Sequence, residues 1–249
     1  MQLYENERID YVNDNISLIQ KTGGLTFGTD ALLLAGYMKD SYKVGVELGA
    51  GSGIISMLAL TRDKIATVHA LEVQADYAAL TERNAELNSL SHRLFTHNAD
   101  VREVKFDFEC DVVFTNPPYM KSTSGKSNLT EAKNIARHEV HGDIRDFVRC
   151  AARLLKFGGA FYAVYRPDRM MDLLAAMREY AVEPKRITAV HANERSEPSM
   201  ILVEGKRGAR SSLKFTRPLI IYRDASNKDY SDDMNYIMEN GVFPADFQR

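Results

Sequence analysis

The most constraining stretch of the chain is VGVELGAGSG at residues 44–53, where an apolar run passes directly into Gly49, Gly51 and Gly53. Ile54, Ile55, Met57 and Leu58 follow at helical spacing. A buried strand, a turn of glycines and a buried helix in that order form one unit of an α/β sheet. With no Cβ at the turn a ligand can approach the backbone closely, and the first N–H groups of the helix have no partner within it. The same glycines would also serve as a plain turn. A dinucleotide loop wants its third glycine at the sixth position, which here is Ile54, so that fingerprint fails.

The pattern repeats along the chain. Strand-like runs fall at 44–48, 67–71, 93–97, 111–115, 160–165, 187–191 and 200–204. Between them Ile144, Phe147, Val148, Ala151, Leu154 and Leu155 share one helical face, as do Met170, Leu173, Leu174, Met177 and Ala181. Both stripes read as core contacts against a sheet. Gly158 and Gly159 are expected to end the first of these helices and turn into the next strand. Upstream, Thr29 and Asp30 are expected to cap a helix over 31–38. The polar tail after Arg223 carries a short helical signal at 234–239. At 249 residues, 45% hydrophobic, the chain fits a single domain: an N-terminal extension at 1–43, a core at 44–223 and a tail at 224–249.

No run approaches the roughly 20 apolar residues of a membrane span, and the polar N-terminus lacks a signal-peptide layout. Cys110 and Cys150 lie far apart with no His at ligand spacing, which argues against a disulfide framework or a metal site. A reducing compartment, the cytoplasm, is the expectation.

Three alternate glycines after the acidic Glu47 resemble the nucleotide loop of class I methyltransferases, which use S-adenosylmethionine. Two further carboxylates agree with that. Glu72 closes the second strand, where it can take both ribose hydroxyls, and Asp100 follows the third, placed to accept from the adenine amino group. Either alone could be an ordinary surface residue; together they stand at successive carboxyl ends of parallel strands, where such sheets bind ligands. Asp30 either reaches the methionine ammonium or only caps its helix.

The fourth strand runs into Asn116, Pro117, Pro118 and Tyr119. Asn-Pro-Pro is good turn chemistry, yet a turn needs no aromatic beside a cofactor loop. A methyl sulfonium is already electrophilic, so the difficulty lies in the target: an adenine N6 or an amide nitrogen has its lone pair spread into a π system. Two acceptors, the Asn116 side-chain oxygen and the Pro117 carbonyl, would grip its two N–H bonds, aim the lone pair and stabilise the growing positive charge. Two prolines hold that carbonyl rigidly, and Tyr119 offers a flat face for a base.

VGVELGAGSG, HALE, HNAD and TNPPY, in that order, resemble the N6-adenine and N5-glutamine amino-methyltransferases. RIDYVNDNISLIQKTGGLTFGTDALLLAGY before the loop, ARHE at 136–139 and PSMILVEGKRG near the end are similar to the bacterial tRNA1(Val) adenine-37-N6 methyltransferases. The resemblance spans about residues 7–222. It implies a Rossmann-like α/β fold, a seven-stranded, mostly parallel sheet flanked by helices with a short helical N-terminal extension. It also implies S-adenosylmethionine as cofactor, tRNA as partner and a flipped-out adenine held by Asn116 and Tyr119. RNA-modifying members are commonly more basic, whereas this chain has net charge −2. Lys121, Lys126, Lys133 and Arg137 follow the motif and would rim the pocket; Lys206, Arg207, Arg210 and Lys214 form a second basic stretch. His138 reads equally as an RNA contact or a structural histidine. No membrane or obligate protein partner is implied. The rival readings are a protein glutamine methyltransferase, which would carry a larger N-terminal domain, a cofactor-binding RNA module without catalysis, and a DNA adenine methyltransferase, which would carry a separate target-recognition region.

Overall fold

The computed structural model describes residues 3–23, 27–117 and 142–248. It opens on an antiparallel hairpin, β1 (Glu7–Asn13) and β2 (Ile16–Lys21), which forms a separate two-stranded sheet. The sequence reading expected only helix here. β1 is mostly exposed and bulged between Tyr11 and Asn13, so no clean alternation betrays it. β2 buries Ile16, Leu18 and Ile19 almost completely.

Helix α1 (Thr29–Tyr37) follows. Its N-cap is Gly28, which makes no side-chain cap bond, so the expected Thr29–Asp30 cap is absent. Asp30 instead lies in the first turn with Oδ1 on the N–H of Ala31 at 2.9 Å. At the other end of α1 the buried Lys64 ammonium donates to the carbonyls of Gly36 (3.2 Å) and Met38 (2.6 Å). Burial pushes its pKa down to about 8.

All seven predicted runs become strands: β3 (Tyr42–Leu48), β4 (Ile65–Glu72), β5 (Leu94–Asn98), β6 (Cys110–Thr115), β7 (Leu155–Tyr165), β8 (Val182–His191) and β9 (Pro198–Arg207). They stand in the order β5-β4-β3-β6-β7-β9-β8, with β9 alone antiparallel to its neighbours. Two short additions, β10 (Lys214–Phe215) and β11 (Leu219–Ile220), pair parallel with β8 and bring the sheet to nine strands among the described residues. Gly158 and Gly159 are not the expected turn. The helix before them stops at Leu154, and both glycines sit inside β7 in a bulge, where Cys110 pairs Leu155 but Val112 pairs Ala160.

Helices α2 (Ile54–Thr61), α3 (Ala75–Leu87), α4 (Ile144–Leu154), α5 (Met170–Glu179) and α6 (Asp232–Asn240) connect and cover these strands. One core layer joins Leu33 and Leu34 of α1 to Met57 and Leu58 of α2; the other joins Phe147 and Val148 of α4 to Leu173 and Met177 of α5. The polar tail is more than a tail: Met234, Ile237, Phe243 and Phe247 are buried in the first layer. Buried Arg186 fastens it, donating to the carbonyls of Phe247 (2.7 Å) and Tyr37 (3.0 Å) while its guanidinium lies 3.9 Å from the Tyr37 ring centroid. Among the described residues no helix is long and apolar enough to cross a membrane.

The strand order sets the place of the site. After β3 the chain builds outward through β4 and β5, then returns to lay β6 on the other side of β3. The crevice at the carboxyl ends of β3 and β6 is therefore the point where strand order reverses, the usual ligand position in an open α/β sheet.

Candidate active site

Leu48, the last residue of β3, pairs with Thr115, the last of β6, and the Thr115 hydroxyl donates to the Leu48 carbonyl at 2.8 Å. Gly49 and Asn116 thus leave adjacent strands, whose paired ends at Leu48 and Thr115 stand roughly 4.8 Å apart by the spacing of paired strands. The glycine loop and the asparagine motif, 67 residues apart in register, share one crevice.

The loop owes its shape to its glycines. Gly49, Gly51 and Gly53 have φ of +73°, +57° and +80°, where side chains are strained. The N–H groups of Gly49 and Ala50 both donate to Leu71 O at 2.9 Å. Two polar residues of α3 hold the outer side: Thr81 Oγ1 donates to Gly51 O (2.8 Å) and buried Asn84 Nδ2 to Ser52 O (3.0 Å). Sequence reasoning passed over both, because isolated polar residues in a helix such as TERNAEL look like surface; their only signal is their position on the buried face.

A Cβ on Gly53 would lie 2.7 Å from the Thr81 methyl, whereas one on Gly51 would meet nothing within 4 Å. Gly53→Ala is therefore expected to lose about 2–3 kcal/mol, strain plus clash, and Gly51→Ala only about 1 kcal/mol, the left-handed strain alone. Urea denaturation of the two variants checks this; equal losses would mean the loop relaxes freely.

The predicted cofactor carboxylates occupy distinct places. Glu72 ends β4 and is nearly buried; Oε2 accepts Gly51 N (2.9 Å) and Oε1 accepts Gln74 N (2.9 Å). Those bonds occupy part of the roughly four acceptor sites of a carboxylate, so Glu72 both braces the loop and keeps capacity for a diol. Asp100 stands just beyond β5, held by Arg102 through its backbone N–H (2.8 Å) and Nε (2.9 Å). The Arg102 guanidinium draws its pKa below the usual carboxylate range; sequence reading did not foresee this pairing. Glu47 is buried beneath the loop, with Oε2 taking Ser56 N (3.1 Å) and the Ser56 hydroxyl at the start of α2. Burial raises its pKa to about 8, against the lowering effect of the Ser56 donors, with the Glu72 charge adding to the rise. In this arrangement Glu47 holds helix to strand from below.

Asp30 meets the motif instead of standing apart from it. Its Oδ2 accepts Asn116 Nδ2 at 2.8 Å. The other end of that amide, Asn116 Oδ1, is buried and accepts no hydrogen bond among the described residues. A buried acceptor without a donor is costly, about 1–3 kcal/mol, and marks a position set for something else. Pro117 follows, buried. Pro118, Tyr119, Lys121, Lys126, Lys133, Arg137, His138 and Glu139 lie outside the described residues. The second basic stretch is at the opposite end of the sheet: Lys206 pairs Ala160 and Glu183 near the amino ends of the parallel strands. Among the described residues no group of three or more His, Cys, Asp or Glu could hold a metal ion.

Known proteins bear on this crevice. The tRNA1(Val) (adenine(37)-N6)-methyltransferase of Porphyromonas gingivalis is 25% identical over 217 residues, covering 82% of this chain and 84% of the relative. The enzyme of the same name from Flavobacterium johnsoniae is 25% identical over 222 residues, 87% of this chain and 93% of the relative. Among solved structures, a predicted O-methyltransferase of Agrobacterium tumefaciens superposes with a TM-score of 0.69 at 24% identity, over 86% of this chain and 98% of that one. The geranyl diphosphate C-methyltransferase of Streptomyces coelicolor superposes with a TM-score of 0.53 at 14% identity, over 72% and 75%. At such identities the structures speak for the fold alone, the α/β sheet expected of a class I methyltransferase. The family model described as the methyltransferase small domain matches residues 22–183, well over half of the chain, and this protein belongs to that family.

Proposed function

We propose that this methyltransferase uses S-adenosylmethionine to methylate the N6 amino group of an adenine in tRNA, the anticodon-loop adenine 37 for which its bacterial relatives are named. The observation that carries the reading is Asn116 Oδ1, a buried acceptor without a partner among the described residues, at the strand end beside the glycine loop.

When bound, S-adenosylmethionine supplies a methyl group on a positively charged sulfur. The chain's part is to hold and aim. Gly51 leaves open space for close approach of a ligand to the loop, and Glu72 has acceptor capacity left for ribose hydroxyls. Asp100, held by Arg102, is assigned to the adenine amino group of the cofactor. On the substrate side Asn116 Oδ1 and the Pro117 carbonyl accept the two N–H bonds of the amino group. Each bond tightens as the nitrogen becomes positive, so the pair favours the transition state over the ground state. No side chain need remove a proton during transfer, because the nitrogen loses it afterwards. The base must leave its stack to reach this crevice; Pro118 and Tyr119 complete the motif, and Lys121, Lys126, Lys133 and Arg137 are assigned to the RNA phosphates by charge.

The test is product identity. Purified protein is incubated with methyl-labelled S-adenosylmethionine and tRNA from a strain lacking the modification, and the nucleosides are resolved by mass spectrometry. N6-methyladenosine is the expected product. Label on protein glutamine, or on no nucleoside, overturns the reading.

A further inference from the structure

We infer that Asp30 is a positioning residue for methyl transfer, fixing which way round the Asn116 amide sits. The inference rests on the adenine reading above and adds a residue 86 positions away to its machinery.

The need arises from the amide itself. Its oxygen and NH₂ ends have nearly the same shape, and turning the group end for end swaps an acceptor for two donors. Only one orientation serves a target amino group; the other sets N–H against N–H. Covalent structure does not choose. A carboxylate does, because when ionised it can only accept. With Oδ2 of Asp30 at 2.8 Å from Nδ2, the reversed amide would bring two oxygens together. The bond is also charge-assisted and belongs to a chain of bonds, in which each strengthens the next, so electron density shifts toward Oδ1. That helps most when the substrate nitrogen is becoming positive, and the effect belongs in kcat.

The carboxylate is in turn fixed. Its Oδ1 takes the N–H of Ala31 at 2.9 Å in the first turn of α1, where the helix field favours negative charge. Helix α1 cannot drift, since Leu33 and Leu34 are wholly buried. Room for Oδ1 depends on residue 28 being glycine: a Cβ there would lie 2.8 Å from it. From the other side, the Thr115 hydroxyl on Leu48 O pins the strand end that carries Asn116. Each carboxylate oxygen thus has one fixed partner, the Ala31 N–H on Oδ1 and Asn116 Nδ2 on Oδ2, and the two bonds together set the plane of the group.

A charge exchange tests the pair. Asn116→Asp alone puts two carboxylates face to face and is expected to lower kcat about 10²-fold. Asp30→Asn alone removes the fixed choice and lowers kcat on the order of 10-fold, with the S-adenosylmethionine affinity by calorimetry unchanged. The double variant Asp30→Asn/Asn116→Asp restores the pattern in reverse: the amide introduced on α1 donates to one oxygen of the carboxylate introduced after β6 and leaves the other oxygen for the substrate. Its kcat is expected within about 10-fold of wild type, a non-additive rescue. Gly28→Ala, which shifts the carboxylate without changing charge, supplies a second variant, with kcat down and KM for tRNA unchanged. Absence of rescue together with an unaltered kcat in Gly28→Ala overturns the inference, as does loss of cofactor affinity in Asp30→Asn. In either case wild-type N6 methylation would stand; only its absence would remove the underlying reading.

Discussion

Asn116→Ala will lower the rate of methyl transfer about 10²–10³-fold and leave S-adenosylmethionine binding where it was. The size follows from what an aligned polar partner contributes when charge develops in a site shielded from water. The direction follows from geometry: Oδ1 accepts nothing among the described residues, so under the reading proposed above its contribution is made to substrate alone. Stability should move little. The substitution removes the Asp30 bond but also removes a buried acceptor that folding had left unpaired, and these oppose each other at about 1–3 kcal/mol each. Single-turnover kinetics with calorimetry and thermal melts separates the three quantities. Wild-type turnover in the variant would take Asn116 out of the chemistry.

The second large effect concerns stability against pH and comes from Glu47. Burial holds its pKa at about 8 in the folded chain, well above the usual carboxylate range it regains on unfolding. The folded state therefore keeps a proton that the unfolded state releases. For a raised group the stabilising contribution is complete below the unfolded pKa and fades as pH rises through the folded one, so the protein should weaken from about pH 5 to about pH 8. Each unit within that window costs about 1.4 kcal/mol, a few kcal/mol in all. Glu47→Gln keeps an oxygen for Ser56 N and its hydroxyl while removing the titration. Urea unfolding at pH 5 and at pH 8 should show a falling wild type and a nearly flat variant. Parallel curves would mean that Glu47 ionises freely in the fold.

The fold was legible because its signals are local. Each parallel strand buried on both faces is a short apolar run, and the βα units that separate such runs leave their own helical stripes. The hairpin was hidden by physics of the opposite kind: β1 keeps most of its residues in water, so nothing in ERIDYVN alternates strongly enough to read. Gly158 and Gly159 carry the signature of a turn and serve a bulge, a distinction that depends on the pairing of β6 with β7. At the site, strand ends were predictable and contacts were not. Glu72 and Asn116 fall where strand-end arguments put them. Glu47 turns under the loop, and Asp100 acquires Arg102, two residues on, as a partner. The Asp30–Asn116 bond spans 86 residues, and no local spacing announces it.

Asn84 gives the hairpin a larger part than its size suggests. Its one amide receives the Ile19 N–H at 2.7 Å on Oδ1 and gives Nδ2 to the carbonyls of Ile19 and Ser52 at 3.2 Å and 3.0 Å. A strand outside the main sheet and the turn that would face the cofactor are thus moored to the same post. Whatever quiets the turn leaves the hairpin less free to peel away, and a hairpin that detaches slackens the turn. The first twenty-odd residues therefore act as a tensioning strap on the crevice, although they contribute no strand to the sheet that forms it.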